Sequence, residues 1–174
     1  MNVQPFDVQV AEARLQERLT QIPPMKGAAI ARLPDFDLPD LYAFSVTPRA
    51  TGQAGEVSYL VGATELLSSG RPADFDRVMA LQGVGSGSPW DLGKFSTFFM
   101  RFRELRRGVV LEAPDGHPLI EPGQVEPESF TPPRREVGEW GVRYDFWFFD
   151  TGWMKPVHCD VTVAPDGATA GGCG

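Results

Sequence analysis

The residues of this chain best suited to chemistry stand in two short alternating segments near its C-terminus. Arg143, Asp145, Trp147 and Phe149 alternate along the first, His158, Asp160 and Thr162 along the second, and Trp153 lies between them. In a β-strand, residues i and i+2 share a face. A hairpin made of these segments therefore gathers two carboxylates, an imidazole, a guanidinium and aromatic rings on one surface, the mixture of apolar walls and few polar groups that lines a binding site. Asp145 and His158 suit a general acid–base pair, because an imidazole oriented by a carboxylate shuttles protons near neutral pH. The ordinary reading of the same pair is a cross-strand ion pair worth about 0.2–1 kcal/mol, and no nucleophile stands in a matching position. His158 and Asp160 with Asp145 supply too weak a pattern for a metal centre, and no metal or cofactor is expected.

Other motifs read as structure. His158 and Cys159 are adjacent in a strand, so they point to opposite faces and cannot form a thiol–imidazole dyad. Cys159 and Cys173 have no C-x-x-C or zinc-type spacing, and two reduced thiols are expected in a cytosolic chain. Gly83-x-Gly85-x-Gly87 precedes a helix, as phosphate cradles do, but lacks a G-K-[ST] ending and reads as a linker. The stripe Phe95, Phe98, Phe99, Phe102 reads as core. The cluster Arg101, Arg103, Arg106, Arg107 reads as a solvated helix end.

Several elements must position these residues. Asp7 caps a helix whose stripe is Val8, Ala11, Leu15, Leu19 and Ile22, stopped by Pro23-Pro24. Met25 to Pro39 reads as irregular. Leu41–Val46 and Glu56–Leu66 alternate as strands across the loop Thr47–Gly55. Pro72–Leu81 reads as a short helix, and Ser88-Pro89-Trp90-Asp91 opens a longer one with Ser88 as cap. Val109–Glu112 and Pro118–Ile120 suggest a hairpin about the turn Ala113–Gly116, and Ala164-Pro165-Asp166-Gly167 repeats that turn chemistry.

For the terminal hairpin, a turn at Thr151-Gly152 sets Phe146 opposite Val157, Tyr144 opposite Cys159 and Val142 opposite Val161. The other face then sets Trp147 opposite Pro156, Asp145 opposite His158 and Arg143 opposite Asp160. A one-residue slip would mix the faces. Aromatics on both faces call for a second packed layer, a ligand cavity, a partner, or a curved sheet wrapped on a helix.

The chain has 174 residues and suits a single domain, 1–174, with a flexible Pro- and Glu-rich loop 121–139 and a flexible tail 167–174. The expected class is α+β: an antiparallel sheet of about five or six strands packed on one long and one or two shorter helices. A net charge of −7 argues against broad nucleic-acid or anionic-membrane binding. The N-terminus lacks a signal-peptide pattern, so a cytoplasmic location is expected. Of 16 basic residues only Lys26, Lys94 and Lys155 are lysines, a bias of GC-rich bacterial coding.

These features fit a non-catalytic binding or interaction protein of a bacterial cytosol. It would engage a protein partner, or close as a homodimer, through Arg143, Asp145, Trp147, Phe149, Trp153, His158 and Asp160 or through the acidic loop. The alternative is a small-molecule-binding domain or hydrolase that holds Asp145 and His158 in a pocket between sheet and helix.

Overall fold

The computed structural model describes residues 5–49 and 55–174. The fold is α+β, and among the described residues nine strands, all paired antiparallel, divide between a four-stranded and a five-stranded sheet. The chain forms two compact units, Met1–Arg71 and Pro72–Gly174. Among the described residues no helix is long and apolar enough to cross a membrane.

In the first unit, α1 spans Val8–Thr20, and the Asp7 carboxylate accepts the Val10 amide at 2.9 Å as its N-cap. Ala11, Leu15 and Leu19 of its apolar stripe are buried against Phe44, Val46, Tyr59 and Val61. Those four residues lie on β2 (Tyr42–Thr47) and β3 (Val57–Val61), which pair with Phe44 opposite Tyr59 and Val46 opposite Val57. Residues 50–54 of the predicted loop Thr47–Gly55 lie outside the described residues. The predicted long strand Glu56–Leu66 breaks at Gly62, whose amide bonds Glu65 O, and β4 (Leu66–Ser68) folds back on β3. Arg14 of α1 donates to the carbonyls of Gly62 and Glu65 and holds that turn.

The stretch expected to be irregular contains β1 (Ala29–Arg32), the edge strand beside β2. Arg32 makes a two-pronged bond to Asp37 (3.0 and 2.6 Å) while Asp37 accepts the Ala43 amide at 2.7 Å. A charged pair rather than apolar periodicity fixes this corner.

In the second unit, α2 spans Pro72–Leu81 and α3 spans Leu92–Phe98. Asp91, not Ser88, caps α3, accepting the Lys94 amide at 2.7 Å. The helix then widens into a π-helical turn over Phe99–Arg103. This turn buries Phe99, Met100 and Phe102 together, and the backbone leaves it through Leu105 at φ 57°. Phe95, Phe98, Phe99 and Phe102 form the core with Phe75, Trp90 and Tyr144. Phe95 stacks on Tyr144 at 3.7 Å, and Tyr144 donates to Trp90 O at 2.8 Å. The glycines between α2 and α3 are a packed linker: Gly83 and Gly87 take positive φ, and a Cβ on Gly85 would lie 1.8 Å from Ala164 O.

The sheet of this unit comprises β5 (Gly108–Leu111), β6 (Arg134–Gly138), β7 (Gly141–Asp150), β8 (Lys155–Val163) and β9 (Thr169–Cys173). Its path runs β5-β7-β8-β9, and β6 also pairs with β7. The Ala113–Gly116 turn forms, with the Gly116 amide on Ala113 O. Pro118–Ile120 is nevertheless not a strand, and β5 pairs with β7. The segments 121–139 and 167–174, expected to be flexible, carry β6 and β9.

The terminal hairpin keeps the predicted faces in a different register. Tyr144 lies opposite Val161, Phe146 opposite Cys159, Trp147 opposite His158 and Asp145 opposite Asp160. The predicted opposition of Asp145 with His158 and of Arg143 with Asp160 is thus offset by two residues. The cause is the loop. Asp150 Oδ1 accepts the amides of Gly152 (2.8 Å) and Trp153 (3.1 Å), and Met154 rather than Gly152 takes a positive φ. The loop therefore has four residues, Thr151–Met154, and a two-residue type I′ turn, which needs positive φ at both positions, does not form. A shift of two preserves every side chain's face.

Candidate functional site

The outer face of β7 and β8 gathers Arg143, Asp145, Trp147, Phe149, His158 and Asp160. Because cross-strand diagonals remain within reach of long side chains, the offset register still brings the predicted ionic partners together. Arg143 donates Nε and Nη2 to Asp160 at 2.8 and 2.7 Å. His158 Nε2 lies 2.8 Å from Asp145 Oδ1. The Arg143 hydrogen bonds hold Asp160 below its ordinary carboxylate range against the opposing effect of burial, and the same bonds raise the guanidinium pKa.

Asp145 is only 3% exposed and is surrounded by donors. Besides His158 it accepts from Arg134 Nη2 at 3.1 Å and Thr131 Oγ1 at 3.3 Å, and Arg143 Nη2 stands 3.6 Å away. Glu136 lies 3.6 Å from Arg134 and from Arg143. Buried carboxylates persist when hydrogen-bonded in this way. The Thr131 hydroxyl is itself bonded to Asp145. Cys159 is on the opposite face and disulfide-bonded. The arrangement is that of a structural ion cluster with a half-exposed histidine at its margin.

The aromatic rings of this face are layered under the segment between β5 and β6. His117 stacks on Phe149 at 4.1 Å, Phe130 on Trp147 at 6.3 Å, and Trp147 on His158 at 5.1 Å. Phe149 is fully buried, and Val125 in the covering segment is 5% exposed. The second set of aromatics thus serves a second packed layer, formed by His117 together with Val125 and Phe130 of the Pro- and Glu-rich stretch.

Trp153 is placed differently. It is 74% exposed in the β7–β8 loop, beside Met154 at 47%. The turn that leads into β5 meets the same end of the sheet, because the Thr151 amide and hydroxyl both bond Arg107 O (2.9 and 3.0 Å). It presents Leu105, 61% exposed, and β5 adds Val109, 46% exposed. Beneath them Asp150, 1% exposed, is locked by Arg106 at 3.2 Å. Of this end, sequence reading named Trp153 as a site residue and did not name Leu105, Val109 or Met154, whose exposure no local pattern encodes.

Cys159 and Cys173 are joined in a disulfide, in place of the two reduced thiols expected. The tail forms β9 and sets Cys173 directly opposite Cys159. Among the described residues no cluster of three or more His, Cys, Asp or Glu side chains suits a metal ion. A groove of about 390 Å³ lies in the first unit, lined by Glu12, Gln16, Leu19, Met25 and Ile30, and does not contain Asp145 or His158. No protein-family model, no curated protein and no solved structure matches this chain.

Proposed function

We propose that this chain is a non-catalytic interaction protein whose contact surface is the apolar end of the β7–β8 hairpin. The observation that carries this reading is Trp153, 74% exposed on a loop pinned by Asp150, Arg106 and Thr151. Tryptophan on a preorganised loop is what a binding hot spot requires: large apolar area at little ordering cost. Leu105, Val109 and Met154 extend the patch, and the exposed Lys155 at the start of β8 adds a cation beside it. The matching partner is a protein with an apolar socket and an acidic border. The bacterial, cytosolic setting expected from the sequence is kept as part of this reading. Thiol reductants of that compartment would act on the Cys159–Cys173 bond.

A photo-crosslinking amino acid at Met154 tests the proposal in cells that make the protein. A discrete adduct, competed by excess wild-type chain but not by Trp153→Ser, supports it. The absence of a competed adduct overturns it. Sedimentation of the purified chain separates a heterologous partner from a homodimer.

The second reading, a small-molecule-binding domain or hydrolase, draws on the 2.8 Å contact of Asp145 with His158. The donors already committed to Asp145, and its near-complete burial, weigh against it.

A further inference from the structure

We infer that the Cys159–Cys173 disulfide is a redox clamp that holds the edge strand β9 on β8. β9 is a poor strand by its own residues. Thr169-Ala170-Gly171-Gly172-Cys173 has almost no apolar side chain to bury, and Gly and Ala are depleted in sheets. Gly171 sits at φ 87°, where its missing Cβ lets the backbone approach Asp160 O. What attaches β9 is a backbone ladder, continued by the paired bonds of His158 with Gly174 (3.1 and 2.9 Å), together with the disulfide.

The bond spans 14 residues of sequence and joins directly opposite positions, with Cα atoms 4.0 Å apart. Its two sulfurs lie 3.8 and 3.7 Å from Met100 Sδ in the π-helical turn. Cys159 and Met100 are buried, whereas Cys173 is only partly so. A reductant therefore meets Cys173 first. The thiolate of a dithiol attacks Cys173 Sγ, and Cys159 leaves as a thiolate and takes up a proton. The second thiol of the reductant then displaces Cys173, leaving two protein thiols and one reductant disulfide. Released, β9 uncovers the peptide edge of β8, the strand that carries His158 and Asp160.

Hydrogen exchange of the full chain, oxidised and after dithiothreitol, tests the clamp. Removing a cross-link over a loop of this length is expected to raise exchange of the β8 and β9 amides on the order of a hundredfold, while amides bonding β5 and β6 to β7 keep their protection. The double variant Cys159→Ser/Cys173→Ser is expected to show the reduced pattern with or without dithiothreitol. Equal protection of β9 in both states, loss of protection throughout Pro72–Gly174 on reduction, or free thiols that glutathione disulfide fails to join would each overturn the inference.

Discussion

Asp145 and His158 meet at 2.8 Å although neither is opposite the other: Asp145 faces Asp160 across the hairpin, and His158 faces Trp147. The contact is a diagonal, and it takes its place in a cluster with Arg134, Thr131 and Arg143. A carboxylate so buried and so fully bonded has a structural part that a surface ion pair lacks.

Asp145→Ala strands several donors at a buried position. A loss of about 2–3 kcal/mol is expected by urea denaturation, below the figure for wholly buried pairs because Arg134 and Arg143 are partly hydrated. His158→Ala, at the exposed margin, is expected to cost less than about 1 kcal/mol. Equal costs would contradict the cluster as described.

The Asp160–Arg143 pair has a pH signature. Arg143 lowers the folded-state pKa of Asp160 relative to the unfolded chain, so its contribution is complete above the unfolded value, about 3.9, and is lost as pH falls through the folded value. With Asp160 42% exposed, solvent screening limits that contribution to less than about 1 kcal/mol. Thermal melts of wild type and Asp160→Asn should keep a constant difference above about pH 5, narrow it as pH falls below about 4, and converge only below the lowered folded value. A difference that grows on acidification would contradict the sign.

Phe149 and Trp153 should behave oppositely. Phe149→Ala empties a site under His117 and is expected to cost about 3–5 kcal/mol. Trp153→Ser is expected to stay within about 0.5 kcal/mol of wild type. Denaturation of the two variants distinguishes a packed outer layer from an open aromatic face.

The Gly85 backbone lies against Ala164, so Gly85→Ala is expected to destabilise by at least about 1–3 kcal/mol, read from the same denaturation curves. A neutral substitution would contradict the packed-linker description.

Period-two alternation made the faces of β7 and β8 legible, and helical spacing did so for the stripes of α1 and α3 but not for the π-helical turn that follows α3. Register was not, because the Asp150 side chain builds the loop and moves it by two residues. β6 was hidden in a polar, proline-rich stretch; its signal was the pair Gly138 and Gly141 about a two-residue turn, with Gly141 at φ 125°. β9 had no apolar alternation to read. The stacking of His117 and Phe130 on the hairpin joins residues far apart in sequence, and no local pattern encodes it. That stacking decides which aromatics are interior and leaves Trp153 outside.

The most direct test compares Trp153→Ser and His158→Ala for affinity toward the protein captured at Met154. The account expects Trp153→Ser to weaken binding at least about 30-fold, as a hot-spot loss does, and His158→Ala to change it less than about twofold, in keeping with a residue outside the contact. Strong loss with His158→Ala and none with Trp153→Ser would contradict it.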